Sequence, residues 1–291
     1  MPSTLELVLP WNLSPTVLLA IALAAGLYGR GITSTAPPPS IPRRIAYFCG
    51  LALIYAALQT SCEYFASHMF FVLQLQHFTL HDLAPALLAV AAPGAALASG
   101  LPKRLQARLP AVARTLRGPS ALLADPVVAT VIYFVTQLIW FVPPIAFDAM
   151  ISNWLYRVMS WSVLLGGIPF WHLMLDLRPY PLARLRLRYR FVILYLAMVP
   201  MMLLSAALAF SQTDWYPVYA VCGRFLPIPP VADQQLGGMA MGIPGQLLFG
   251  IVLFLALGRR LERTHASASA IRGGMNRALP VRTPSPGAEN L

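Results

Sequence analysis

The sequence predicts an all-α fold, a polytopic membrane helical bundle of about seven transmembrane helices with the N-terminus outside and the C-terminus in the cytoplasm. Of the 291 residues, 58% are hydrophobic and only 11% are charged, and the mean hydropathy is +0.66. Soluble proteins carry roughly 25% charged residues, so this chain has too few polar side chains to cover a water-facing surface. The composition therefore indicates a lipid bilayer as the surrounding solvent.

Several apolar runs reach or approach the length of a membrane helix, for which about 20 apolar residues cross roughly 30 Å of hydrocarbon. These runs are Leu13–Tyr28, Ile45–Ala66, Met69–Ala98, Pro126–Phe147, Trp154–Leu175, Phe191–Phe210 and Leu236–Leu257. The first run is short, and the third is long enough to tilt, kink or begin outside the bilayer.

The basic residues predict the orientation. All of the 21 Lys and Arg residues except Arg157 and Arg224 follow the first, third, fifth or seventh run. Because positive residues stay on the cytoplasmic side, these loops and the C-terminus are cytoplasmic. An even number of helices would destroy this alternation. The net charge of +11 therefore reflects membrane topology, and we expect no nucleic-acid partner.

We predict one transmembrane domain over residues 1–261 and a disordered cytoplasmic tail over 262–291, which is rich in Ser, Ala, Pro and Arg. Glu6 precedes the first run and no basic residue does, so we interpret this run as a retained helix rather than a signal peptide. Cys62 and Cys222 fall on the predicted outer side, where a disulfide can form, although free thiols are the expectation.

The third run contains ionisable residues, which are costly inside a membrane and usually functional. His77 and His81 are four residues apart and share one helix face, close enough to bind a single metal ion. Asp82 can orient a histidine of a neighbouring helix or accept a proton. Pro85 lacks an amide hydrogen, so the carbonyl of His81 needs another partner. A purely structural interpretation, in which these residues only hydrogen-bond to other helices, stays open.

A second group of candidate ligands lies at the predicted outer end of the second and third runs. His68 follows Cys62 and Glu63 there, and Met69 is a soft thioether that suits copper, although methionine in a membrane core more often fills gaps. The full set of predicted metal ligands is His77, His81, His68, Asp82 and Met69.

Several enzyme classes are excluded by their missing residues. The chain has no HExxH motif, no GxSxG motif and no Walker A motif. A retinal protein needs a buried lysine, and the one lysine is Lys103, in a predicted cytoplasmic loop. We therefore expect a protein that is not an enzyme.

Two motifs resemble the CtaG family of cytochrome c oxidase assembly factors. The first runs from Gln76-His77 through Ala84-Pro85 to Ala92-Pro93. The second is Asp233-Gln234-Gln235-Leu236-Gly237-Gly238 followed by Ile243-Pro244-Gly245. The resemblance covers roughly residues 10 to 260. The family's first histidine would fall at Leu73, and Ser67-His68-Met69 is similar to that part of the motif but lies earlier.

The resemblance implies a factor of the bacterial inner membrane that helps to mature haem–copper oxidases by handling copper on the periplasmic side. Its expected partners are cytochrome c oxidase subunits and periplasmic copper chaperones. The alternative is a small metal- or proton-coupled transporter that uses His77, His81 and Asp82 as its pathway. Internal symmetry, which is common in transporters, is not visible in the sequence, and this favours the assembly factor.

Overall fold

The structure, a computed structural model, describes residues 14–115, 121–176, 183 and 185–278, and every regular element in these ranges is helical. The α-helices are α1 Pro15–Ser34, α2 Ile41–Gln59, α3 Cys62–His68, α4 Phe70–Phe78, α5 Ala84–Ala91, α6 Gly94–Gly100, α7 Lys103–Thr115, α8 Pro126–Leu138, α9 Pro143–Ile151, α10 Asn153–Met174, α11 Leu187–Phe210, α12 Val218–Cys222 and α13 Pro230–Ala278. A π-helical turn, Thr79–Leu83, joins α4 to α5, and a 3₁₀ turn, Ile139–Phe141, follows α8.

The described residues of each predicted apolar run are mostly helical, but fewer than seven of these runs qualify as membrane spans. By length and composition, four helices in the described residues can cross a membrane, or up to six if each of two bent pairs forms one span. The remaining run is α10, which has 22 residues but includes polar side chains such as Arg157 and His172. The described part of the chain thus has four to six candidate spans.

Two of the predicted continuous runs bend sharply. The helix from Phe70 to Ala91 meets α6 at 72°, because Ala92 adopts a left-handed conformation (φ 46°) and Pro93 follows it. The helix Pro126–Phe141 meets α9 at 77°, where Val142 is extended before Pro143. The residue before a proline disfavours helical geometry, which explains this break. The second run is also divided, into α2 and α3.

The C-terminal boundary differs from the prediction. The chain separates into two compact units, residues 1–250 and 251–291, whereas we predicted a boundary after residue 261. We predicted disorder from residue 262, but α13 continues to Ala278. This segment contains several alanines, arginines and a glutamate, which favour helix intrinsically. The rest of the predicted tail, 279–291, lies outside the described residues.

Hydrogen bonds between helix ends show which ends lie together in the first unit. Ser14, before α1, exchanges two hydrogen bonds with Gln59 at the end of α2, at 2.8 and 3.3 Å. Asp233, in the first turn of α13, accepts hydrogen bonds from the amides of Phe70 and Phe71 at the start of α4, both at 3.0 Å. Therefore α1 is antiparallel to α2, and α4 and α13 begin at the same end.

The ends of two further helices join this group, which we call the Asp233 end. Tyr216, shortly after α11, donates a hydrogen bond of 2.9 Å to the carbonyl of Phe141, which follows α8. The amide of Trp215 donates to Gln234 of α13 at 2.7 Å. Helices α8 and α11 therefore end where α4 and α13 begin, and run antiparallel to them.

At the opposite end, the last turns of α1 pack against the start of α2 and against α5 and α6. This apolar cluster contains Tyr28, Ala46, Tyr47, Leu51, Ala91 and Ala96. The main core lies between the two ends and includes Leu73, Leu80, Met159, Val163 and Leu164 of the α4–α5 segment and α10. This core surrounds the polar residues described next.

Candidate functional site

The middle of the bundle contains a wide turn in the segment from α4 to α5. Residues Thr79–Leu83 form a π-helical turn, and the amide of Ala84 donates to the carbonyl of Thr79, five residues back. Pro85 follows at once and cannot donate to the carbonyl of His81. Turns of this kind are rare and concentrate at functional sites. Of the two predicted histidines, His77 lies just before this turn and His81 lies within it.

Because Pro85 has no amide hydrogen, the carbonyl of His81 is predicted to need another hydrogen-bond partner, and the structure shows one. The indole Nε1–H of Trp171, on α10, donates to it at 3.1 Å. Gly167, one turn earlier on α10, permits this approach, because a Cβ at that position would overlap the same carbonyl oxygen. The absence of a side chain at Gly167 therefore lets α10 pack directly on the π-helical turn.

Asp82 links three helices through one carboxylate. Its Oδ1 accepts a hydrogen bond of 2.7 Å from the hydroxyl of Tyr133 on α8 and another of 3.2 Å from Nε1 of Trp171. From the sequence, Asp82 can orient a histidine of a neighbouring helix or accept a proton, and both roles stay predictions. Its hydrogen bonds in the structure are made with a tyrosine and a tryptophan, while Nδ1 of His81, on its own helix, lies 3.7 Å from the same oxygen.

Aromatic rings enclose His81 on the side of α8 and α10. The Tyr133 ring lies 4.1 Å from the His81 ring, centroid to centroid, and Phe170 stacks on Tyr133 at 3.9 Å. Phe249 of α13 lies 5.2 Å from Trp171. These rings exclude water from the cluster and strengthen the electrostatic interactions inside it.

Both imidazoles are buried, and their nitrogens make no hydrogen bonds with the described residues. His77 and His81 are each 1% exposed, and neither nitrogen of either ring has a hydrogen-bond partner there. Buried polar atoms are nearly always paired, so unpaired ones require an explanation such as a bound ion or water. The neighbouring Gln76 shows the usual situation, since it bonds to Ala57 at 2.7 Å and to Tyr156 at 2.6 Å.

Three of the five predicted metal ligands, His77, His81 and Asp82, lie within six residues of one another at the π-helical turn, where His81 Nδ1 and Asp82 Oδ1 are 3.7 Å apart. His68, at the end of α3, is half-buried, and its Nδ1 pairs with Ser67 Oγ at 2.9 Å and with the Tyr64 carbonyl at 2.7 Å. Met69 is buried at the start of α4. His77 lies further along α4 by about 10 Å, given 1.5 Å per residue. His68 and Met69 therefore lie apart from the histidine pair.

Counting only His, Cys, Asp and Glu, the described ranges contain no group of three side chains that could hold a metal ion. The histidine pair offers two imidazoles to a ligand, with Asp82 beside them. Whether that ligand is a metal ion stays a prediction.

The second sequence motif has a different role, which the sequence alone did not reveal. Asp233 accepts hydrogen bonds from two backbone amides. Its Oδ2 also lies 3.5 Å from Nε of Arg224. Gln234 accepts from the Trp215 amide and donates to the Thr213 carbonyl at 3.0 Å. Gln235 donates to the Ser211 carbonyl at 2.9 Å. The three side chains join α13 to the start of α4 and to the segment after α11.

Gly237 completes this junction, because a Cβ there would overlap the ring of Phe70. We call Asp233, Gln234, Gln235 and Gly237 the α13 clamp. Asp233 lies in the first turn of α13. Its carboxylate accepts hydrogen bonds from two free amides at the start of α4, and a negative charge is favourable at the start of a helix. The clamp is a structural junction.

Comparison with known proteins identifies the family. A family model described as cytochrome c oxidase caa3 assembly factor (Caa3_CtaG) matches residues 26–263, which is most of the chain. No curated protein and no solved structure matches the chain. The matched range contains both the histidine pair and the α13 clamp. The chain belongs to the Caa3_CtaG family of cytochrome c oxidase caa3 assembly factors.

Proposed function

We propose that this protein supports maturation of a haem–copper cytochrome c oxidase by holding copper at His77 and His81 and releasing it to the oxidase. One observation carries the proposal: two buried imidazoles offer nitrogens that no described side chain uses. Imidazole is a good ligand for copper. Copper is the cargo here, and its transfer exchanges ligands without a chemical change in the protein, so the role is not enzymatic.

The proposed location is the bacterial inner membrane, with seven helices and the Asp233 end facing the periplasm. The alternating direction of the helices supports this topology, because α1, α4 and α13 start at one end whereas α2, α8 and α11 finish there. The basic residues of α7, Lys103, Arg104, Arg108 and Arg114, follow α6 at the other end. Under the positive-inside rule that end is cytoplasmic.

Oxidase subunits are the proposed acceptors of the copper, and periplasmic copper chaperones are the proposed donors. The surface that would meet them is the Asp233 end. A cavity there, between α9 and the segment after α11, is lined by Pro143, Pro144, Phe147, Asp148 and Trp215 among others. We assign no specific contact to it.

Metal analysis of the purified full-length protein tests the proposal. We expect the wild type to retain about one copper per chain and the double variant His77→Ala/His81→Ala to retain none. His172→Ala is the matched control, because this histidine is exposed and lies next to Trp171. His68→Ala should also retain copper, since His68 lies apart from the pair. Copper loss in the control alone, or no copper in the wild type, would contradict copper handling.

A deletion strain separates the assembly factor from a transporter. Loss of the oxidase spectrum with normal synthesis of the oxidase subunits is the expected result. An intact oxidase together with altered uptake of metal ions or protons would instead favour a transporter that uses the same cluster.

A further inference from the structure

We infer that the histidine pair binds copper as the monovalent ion Cu(I), between one nitrogen of His77 and one of His81, and that Gln137 is the positioning residue for His77. The inference rests on the proposed function and adds the oxidation state of the cargo and a residue that the sequence motifs do not include.

Gln137 lies on α8, one turn from Tyr133 in the direction of the Asp233 end. His77 lies one turn from His81 in the same direction, because α8 and α4 are antiparallel. The contact between the Tyr133 and His81 rings, at 4.1 Å, sets the register of the two helices. Gln137 is therefore level with His77 along the length of the bundle.

The side chain of Gln137 is available for this role. It is 4% exposed, and its Oε1 makes no hydrogen bond with the described residues. A buried amide oxygen without a donor is as costly as a buried imidazole without a partner. An N–H of His77 directed to this oxygen would satisfy both groups at once.

The protonation of a metal-bound imidazole explains why each histidine needs such a partner. A neutral imidazole has one N–H and one lone pair, and the metal takes the lone pair. The N–H then donates to a carboxylate, carbonyl or water, which fixes the orientation of the ring. For His81 this acceptor is Asp82, whose Oδ1 lies 3.7 Å from Nδ1. A small rotation of the ring would bring the two atoms to hydrogen-bond distance.

Charge favours a monovalent ion. Asp82 is the acidic side chain that the described chain places beside His81, and it accepts hydrogen bonds from Tyr133 and Trp171. In its ionised form this carboxylate balances one positive charge. A divalent ion would leave an uncompensated charge in a buried site, which is strongly unfavourable. Of the ions that imidazole binds well, Cu(I) carries a single charge and is stable with two ligands.

Gln74 provides a matched control for Gln137. It is also buried, at 2% exposure, and its Oε1 is also without a hydrogen bond among the described residues. However, Gln74 lies on α4 itself and packs toward Gly237 of the α13 clamp. Its substitution removes an equivalent buried amide one turn before His77 on the same helix, so it tests whether Gln137 in particular, rather than any buried amide nearby, positions this histidine.

The test is a Cu(I) titration of full-length protein in detergent, under reducing conditions and against a competing chelator. We expect Gln137→Leu to weaken Cu(I) binding by about 10- to 100-fold, the usual effect of removing a partner of a metal-bound histidine. Gln74→Leu should bind as wild type does. Gln137→Glu should weaken Cu(I) binding less than Gln137→Leu does, because it keeps an oxygen acceptor for the N–H of His77.

These outcomes separate the inference from the proposed function and from a structural role of Gln137. Wild-type binding by Gln137→Leu would overturn the positioning role alone, and absence of copper from the wild type would overturn both proposals. If Gln137 were only structural, the buried charge of Gln137→Glu would damage the protein more than Leu does. X-ray absorption should show two-coordinate Cu(I) without an electron paramagnetic resonance signal. A Cu(II) signal, or equally tight Zn(II) binding, would overturn the assignment of a monovalent ion.

Discussion

The histidine cluster and the α13 clamp are both built from buried polar residues, but they differ in how those residues are paired. In the clamp, Asp233 accepts two amides, and Gln234 and Gln235 bind backbone groups. In the cluster, Asp82 is paired while all four imidazole nitrogens lack partners among the described residues. Burial is common to both regions, so pairing is the property that distinguishes a junction from a candidate binding site.

The two regions should respond differently to substitution. Removing a clamp residue leaves its partners buried without hydrogen bonds, so less folded protein should accumulate. Removing an unpaired imidazole breaks no hydrogen bond within the described chain, so the loss should appear in function. Each variant below tests one side of this comparison.

The largest expected effect is on oxidase maturation. His77→Ala and His81→Ala should each abolish it while the abundance of the protein in the membrane stays near that of wild type. If the histidines were only packing residues, each substitution would cost about 0.6 kcal/mol, the average of a hydrogen bond between membrane helices. Oxidase spectra and immunoblots of the same membranes measure the two quantities. Full oxidase activity in the double variant would reject the site.

The clamp should show the opposite pattern. Asp233→Ala leaves the amides of Phe70 and Phe71 without acceptors and removes a carboxylate partner of Arg224. Breaking a buried ion pair costs about 3–5 kcal/mol, a large part of the 5–15 kcal/mol typical of a folded protein. We expect little folded protein to accumulate.

Asp148→Ala is the control for this loss, since Asp148 is an exposed acidic residue at the same end. Fluorescence-detected size-exclusion chromatography of detergent extracts compares the two variants. Normal accumulation of Asp233→Ala with loss of copper would make the clamp part of the functional site.

Tyr133→Phe should have an intermediate effect. It removes the 2.7 Å hydrogen bond to Asp82 but keeps the ring that packs on His81. A hydrogen bond to a charged group contributes about 1.5–3 kcal/mol, so the unfolding temperature should fall while copper binding weakens less than in Gln137→Leu.

Tyr216→Phe is the corresponding control at the Asp233 end. It removes a hydrogen bond to a neutral carbonyl and should lower the free energy of unfolding by about 0.5–1.5 kcal/mol. Its copper binding should be unchanged. Thermal unfolding and copper titration of both variants give the comparison. A larger copper defect in Tyr216→Phe than in Tyr133→Phe would contradict the assignment of the two regions.

The sequence predicted the helical segments because hydrophobicity over 20 residues is a strong signal, but it did not predict their breaks. The second run is divided at Thr60 and Ser61, where no proline signals a break. Helix α10 is less apolar than the other runs because it packs against the polar cluster. Low hydrophobicity and charge predict disorder beyond residue 262, whereas α13 continues to Ala278 in the structure, where Ala and Arg also favour helix.

In the site, the histidine spacing and the free carbonyl of His81 could be predicted, because both depend on neighbours along the chain. Trp171 and Tyr133 could not, since they reach Asp82 from helices 89 and 51 residues away. Gln137 carries no motif, and only the register between α4 and α8 brings it level with His77. The Asp233 motif was recognised as a family signature, but its hydrogen-bond partners depend on how the helix ends meet.

The smallest expected effect concerns Cys222, which tests the proposed orientation of the Asp233 end. Burial raises the pKa of the Cys222 thiol, so little of it is thiolate at neutral pH, and alkylation should be slow and should accelerate as the pH rises. A membrane-impermeant maleimide added outside spheroplasts should label the wild type in this way, and the signal should be smaller in Cys222→Ser. Labelling of Cys222 only after permeabilisation would place the Asp233 end in the cytoplasm and reverse the orientation. Labelling that requires a reductant at every pH would show instead that Cys222 is in a disulfide, whereas all three cysteines are free in the structure.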